Sequence, residues 1–170
     1  MDLKKYIYDI PDFPSPGIIF RDITPLLQNK ETFRYTVDLL AEKIKELNPT
    51  QVVAIESRGF MFGAPLAYKL GCGFIPVRKE GKLPRESISA SYDLEYGSNT
   101  LEIHLDALKE GDRVVIVDDV LATGGTMKAT VELCEKLGAK VEALLFVIEL
   151  LPLEGREKLK GKNVISLVQY

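Results

Sequence analysis

Residues 114–126 read VVIVDDVLATGGT: four β-branched apolar residues, two adjacent acids, then a short turn closing on Gly-Gly-Thr. A run of the same kind, VVAIE at 52–56, also leads into a glycine-containing turn and a helical pattern. A third, VEALLFVI at 141–148, follows a helical pattern that ends at Gly138. Runs this continuously apolar suit strands covered on both faces, as in parallel sheets. Their alternation with helical patterns predicts the α/β class, with one domain over residues 1–170 and a mainly parallel central sheet flanked by helices.

The helical stripes are read as core. Phe33, Val37, Leu40, Ala41, Ile44 and Leu47 recur at helical spacing until Asn48-Pro49 stops them, and Met127, Val131, Cys134 and Leu137 do the same before Gly138, a C-terminal cap. Two regions break this rhythm. Residues 1–30 carry four of the nine prolines, as far as Pro25, and read as an irregular cap laid over the domain. Residues 79–100, rich in Lys, Glu, Ser, Tyr and Gly, lie between GFIPVR and the short alternating strand LEIHL. A connection of that length without periodicity of its own is expected to be a flexible lid or binding loop.

The acid pair and the turn carry the chemistry. In an open parallel sheet, ligands bind beyond the carboxyl ends of the strands, where Asp118 and Asp119 stand. Adjacent strand residues point to different sides, so the two carboxylates suit separate hydroxyl donors, such as those of a ribose, better than one shared metal. Thr123, Gly124, Gly125 and Thr126 then offer consecutive backbone N–H groups at a helix start, an anion nest fit for a phosphate monoester. The spacing matches neither GxxxxGK[ST] nor GxGxxG. The stretch therefore reads as a sugar-phosphate site.

Composition narrows the partners. The chain has 170 residues, 46% hydrophobic and 28% charged, with a net charge of −3, so nothing draws it generally to nucleic acid or to an anionic membrane. Cys72 and Cys134 read as reduced core residues. The stretch MDLKKYIYDIPDF holds no apolar segment long enough for secretion, and no run approaches the ~20 residues that cross a bilayer. The expectation is a cytoplasmic protein.

VVIVDDVLATGGT closely resembles the phosphoribosyl pyrophosphate signature of the type I phosphoribosyltransferases. FPSPGIIFRDITPLL, ESRGFMFGAPLA, RKEGKLP, ASYDLEYG and GREKLKGKNVISLVQY resemble the members of that family that use adenine. The resemblance runs from Asp12 to Tyr170 and implies small-molecule substrates, adenine and phosphoribosyl pyrophosphate, with Mg²⁺ carried mainly by substrate and no metal ligand directly from protein. It further implies a homodimer in the cytoplasm, without nucleic acid or membrane partners. It assigns Asp118, Asp119, Ala122, Thr123, Gly124, Gly125 and Thr126 to ribose and 5-phosphate. Glu56, Ser57, Arg58 and Gly59, with Arg78, Lys79 and Lys82, fall to pyrophosphate, and Ile19, Phe20 and Arg21 of an N-terminal hood fall to adenine. Glu95 and Tyr96 on the lid fall to catalysis, Glu95 as proton handler. Glu56 stands where the family commonly has Asp, and His104 has no assigned role, so it reads as structural. A transferase acting on another base, and a non-catalytic sensor of phosphoribosyl pyrophosphate, are the alternatives. GIIFRDITP argues against the first, and the retained Glu95-Tyr96 pair, with no basic recognition helix, argues against the second.

Overall fold

A computed structural model describes residues 1–170. In chain order its strands and helices are β1 (Tyr8–Pro11), β2 (Ile19–Asp22), α1 (Thr24–Gln28), α2 (Lys30–Ile44), β3 (Gln51–Ile55), α3 (Arg58–Leu70), β4 (Gly73–Lys79), β5 (Ser87–Asp93), β6 (Ser98–His104), β7 (Arg113–Leu121), α4 (Gly125–Lys136), β8 (Lys140–Glu149) and β9 (Val164–Gln169). Seven strands form one sheet in the order β5-β6-β4-β3-β7-β8-β9. From β4 to β9 the neighbours run parallel, and β6 and β5 join antiparallel at the β4 edge.

The apolar runs become central strands because alternate residues feed two separate cores. Val114 and Ile116 of β7, with Val53 and Ile55 of β3, pack beneath α4 in one layer. Val115 and Val117, with Val52 and Ala54, face α3 and α2 in the other. The predicted stripe on α2 is the buried one, with Val37, Leu40, Ala41 and Ile44 all inside. Asn29 caps that helix by accepting from the N–H groups of Glu31 and Thr32, and a 3-10 turn ends at Asn48 in the left-handed region.

Two sequence expectations are corrected. The first thirty residues are irregular only over 12–18: Asp2 caps a 3-10 turn, β1 and β2 pair antiparallel from Tyr8↔Asp22 to Pro11↔Ile19, and Leu3 and Ile7 are buried. The connection at 79–100 is largely strand, a hairpin of β5 and β6 closed by Leu94 N–H donating to Gly97 O at 2.9 Å. Its inward residues, Ile88, Ala90 and Tyr92, alternate with Ser and Asp, a weak apolar signal that reads as loop until a partner strand is present.

α3 lies close enough to the sheet that Gly63 is required. A Cβ there would stand 2.5 Å from the Ala54 Cβ on the central strand β3. Gly→Ala in a helix interior ordinarily gains about 1 kcal/mol. Overpacking against a strand fixed on both sides costs about 1–3 kcal/mol, and the 2.5 Å approach puts this site at the upper end. Gly63→Ala is therefore expected to lower Tm, at roughly 2–4 °C per kcal/mol for a chain of this size. An unchanged or higher Tm in a thermal melt would show that α3 can back away from β3.

Candidate active site

The chain leaves β3 through α3 toward β4 and leaves β7 through α4 toward β8, on opposite faces and in opposite directions along the sheet. β3 and β7 are neighbours, so a crevice opens between their carboxyl ends, the usual ligand position in such sheets. β3 pairs with β7 only as far as Ala54↔Val117, while β7 continues along β8 to Leu121. Asp118 and Asp119 thus lie on the stretch of β7 that has no β3 partner.

Gly59 lets the turn after β3 close against them. A Cβ there would meet Val117 O at 2.9 Å and Asp118 Oδ1 at 3.2 Å. The Glu56–Ser57 peptide is cis. Arg58 Nε lies 2.7 Å from Asp119 Oδ2, a charge contact without an aligned hydrogen bond, and its guanidinium carbon stands 5.0 Å from the Phe20 ring centroid. Arg58 therefore spans from the acid pair to the hood. Glu56 accepts from Arg78 Nε at 3.2 Å and from the Lys79 backbone N–H at 2.7 Å, which fastens the end of β4 to the turn after β3.

Two cavities meet at the acid pair. The polar one is lined by Glu56, Ser57, Arg58, Lys79, Asp118, Asp119 and Thr126, and roofed by Tyr92 and Asn99 of the hairpin. The other, of about 320 Å³, is mostly apolar and is lined by Ile18, Ile19, Phe20 and Arg21 of the hood, Val120, Ala122 and Leu150 of the sheet end, and again Arg58, Asp118 and Asp119. That volume sits at the small end of ligand sites, about 300–1,000 Å³. At the mouth between them, Lys128 N–H donates to Gly124 O at 2.9 Å, and the N–H groups of residues 124–127 have no intrahelical acceptor. Gly124 has φ +86°, and a Cβ on Gly125 would meet the Tyr92 ring at 2.9 Å.

Other residues singled out by the sequence lie outside both cavities or, like Arg21, spend their side chains elsewhere. Arg78 is spent on Glu56, and Lys82, exposed on a turn, lines neither cavity. Thr123 is exposed and also lines neither. Arg21 pairs with Asp9 and lies 3.9 Å above the Tyr170 ring, so its side chain ties the hood to the end of the chain. Glu95 and Tyr96 sit at the exposed hairpin tip, Tyr96 at 88% exposure, and touch neither cavity. Tyr92, Asn99, Val120 and Leu150 went unnoticed in the sequence. Only Tyr92 had a signal, the period-2 alternation with Ile88 and Ala90.

The fold and the cleft are those of a phosphoribosyltransferase: the model of the phosphoribosyl transferase domain family matches residues 22–165. The chain is 89% identical, over the full length of both, to the adenine phosphoribosyltransferase of Carboxydothermus hydrogenoformans. It superposes on the Thermoanaerobacter pseudethanolicus adenine phosphoribosyltransferase with a TM-score of 0.96 at 53% identity, covering 99% of this chain and 98% of that one. The Saccharomyces cerevisiae enzyme, solved with adenine and an imino-altritol bisphosphate, gives 0.92 at 45% identity, covering 97% and 96%. The chain belongs to the adenine phosphoribosyltransferases.

Burial, and next the charge of Asp119, push the Asp118 carboxyl well above its ordinary value near 3.8. A carboxyl raised by folding stabilises the fold below its unfolded value and loses that contribution as pH rises through the folded one. Asp118→Asn keeps the shape and the acceptor for the Asp119 N–H, and cannot ionise. The variant is expected to match wild-type Tm near pH 4 and to exceed it at pH 8. Equal Tm differences at the two pH values would refute the buried charge.

Proposed function

We propose that the cleft divides one displacement at the anomeric carbon of a ribose among its parts. As an adenine phosphoribosyltransferase, the chain is a pentosyltransferase that makes AMP and pyrophosphate from adenine and phosphoribosyl pyrophosphate. The observation that carries the assignment of residues is that the polar cavity and the apolar slot share Asp118, Asp119 and Arg58. A ribose held on the two acids has its leaving diphosphate on the polar side and its attacking base on the apolar side.

Transfer builds positive charge on the ribose as diphosphate departs, so the acids serve the ring while cations serve the leaving group. In this reading Arg58 moves from Asp119 to the diphosphate as ribose hydroxyls replace it, and Lys79 and the Ser57 turn complete that subsite. The loop from Ala122 to Thr126 holds the 5-phosphate. Adenine lies in the slot with Phe20 against its face and the backbone of Ile19 and Arg21 at its edge. The ring nitrogen forms its bond to the anomeric carbon while the carbon–oxygen bond to diphosphate breaks, and Glu95 takes the proton that the nitrogen releases. That last step requires the hairpin tip to come down over the cleft, which the two-pair attachment of β6 to β4 favours.

Mg²⁺ fits this donor set as a companion of the diphosphate. No three His, Cys, Asp or Glu side chains converge, and the cleft offers cations and N–H groups suited to phosphate oxygens. Carried on substrate, the ion would neutralise charge on the leaving group. A homodimer is supported by α3, where Met61 and Tyr68, two turns apart on one face, are 43% and 91% exposed. Light scattering at micromolar concentration should give twice the 19.0 kDa chain mass, and a single chain mass refutes it. A cytoplasmic location is supported by two unpaired thiols and by the lack of any helix long and apolar enough to cross a membrane.

Pyrophosphate release should require adenine and be far slower with hypoxanthine or guanine; equal rates would remove the slot as the base reader. In the same assay Glu95→Gln should lower kcat about 10²-fold with little change in KM, the usual scale for a general acid-base group. An unchanged single-turnover rate would assign the proton to another acceptor.

A further inference from the structure

Behind the phosphate loop lies a second loop that the reaction as described does not use. It runs from the end of β8 to β9 through two 3-10 turns, Leu151–Leu153 and Gly155–Leu159. Leu150 N–H donates to Leu121 O at 2.9 Å, and Leu159 is buried in the core beneath α4. Gly155 presses its backbone onto the phosphate loop. A Cβ there would lie 2.3 Å from Ala122 O, and a Cβ on Gly124 would lie 2.5 Å from Gly155 O. The two loops touch backbone to backbone, so neither can shift without the other.

The residue after this contact is locked by a buried carboxylate. Glu149, 3% exposed at the end of β8, takes Arg156 in a two-pronged pair, Nε to Oε1 at 2.6 Å and Nη2 to Oε2 at 2.8 Å. Ser166 Oγ and Gln169 Nε2 of β9 also donate to Oε2, and Arg156 Nη1 donates to Val164 O at 3.2 Å. These bonds hold the Glu149 carboxyl down to about 2, first through Arg156, so the pair stays ionised at any working pH. No contact here reaches either cavity. A surface ion pair would not need four donors on one buried carboxylate; β8 and β9 are already paired through their ladder, so what the cluster adds is a hold on the segment bearing Gly155.

We infer that Glu149 and Arg156 are positioning residues for the phosphate subsite, holding Gly155 against the loop of Ala122 to Thr126 so that its N–H groups stay converged on the sugar phosphate. The inference rests on the reading that this loop takes the 5-phosphate. It makes the clamp selective: loosening it should harm the phosphate end of the substrate and spare the diphosphate end, which is held by the turn after β3 and by Lys79.

The test compares wild type with Arg156→Lys, Arg156→Ala and Gly125→Val. Calorimetry measures affinity for ribose 5-phosphate and for magnesium pyrophosphate, with steady-state kinetics and Tm alongside. Arg156→Lys keeps the charge and loses the fork, and is the variant to use if Arg156→Ala does not fold. Both should weaken ribose 5-phosphate binding and raise KM for phosphoribosyl pyrophosphate about tenfold, as small displacements of a binding group do. Magnesium pyrophosphate affinity should hold within about twofold. Gly125→Val, which fills the nest itself, should abolish ribose 5-phosphate binding. If it does while both folded Arg156 variants bind ribose 5-phosphate normally, the positioning role is overturned and the phosphate reading stands. Normal binding by Gly125→Val overturns that reading and this inference with it. A uniform loss of all affinities with a lowered Tm assigns the clamp to stability alone and overturns the inference.

Discussion

In the parallel ladder between β3 and β7, Ala54 lies opposite Val117, and every functional placement in the molecule follows from that register. It ends the pairing one residue before Asp118, so the acid pair emerges where β3 has already turned away. It also sets the turn after β3 level with the acids, which is why Gly59 must be bare and why Arg58 can reach Asp119. A one-residue slip would reverse which face each β7 side chain occupies and carry Val114 and Ile116 out of the core beneath α4. Since each strand is buried on both faces, such a slip would strand apolar groups in both layers. The two cores therefore hold the site in register, and only residues at their edge, such as Ile55 and Leu101, reach the polar cavity.

Around this floor the other parts are held with very different firmness. The loop of Ala122 to Thr126 is backed by Gly155, and the residue after Gly155 is fixed by Glu149, so this loop has backbone packed directly behind it. The hood rests on Leu3 and Ile7 in the core and on Arg21 over Tyr170. The hairpin joins the sheet through Arg78↔Glu102 and Lys79↔Leu101 and is anchored in the core by Leu101 and Ile103, and only its tip, from Asp93 to Ser98, is exposed throughout. Such a gradient suits a transfer reaction, where a fixed floor preorganises charge and a loosely held roof admits substrates and excludes water.

The class of the fold and the character of its centre are legible in the residue order. The β-branched runs at 52–55, 114–117 and 141–148 can be buried on both faces only in a covered sheet, and two acids beside a glycine-rich helix start carry their chemistry in their covalent order. Those signals are local, so they are legible without a structure. The hairpin at 87–104 was half hidden, because Ser, Ala and Tyr become a strand only beside a partner that supplies the ladder.

Which distant residues meet depends on how the strands are ordered and packed. Leu150 joins the apolar slot only because β8 lies next to β7, and Arg156 backs the loop of Ala122 to Thr126 only because Glu149 ends that same strand. Arg58, read as a ligand for diphosphate, is found bridging Asp119 and Phe20, while Arg78 and Arg21 are engaged by Glu56 and Asp9. Spacing along the chain reports the period of a strand or helix and the order of a turn. Contacts between residues far apart in the chain depend on strand order and register, which are set by the packing of both layers at once.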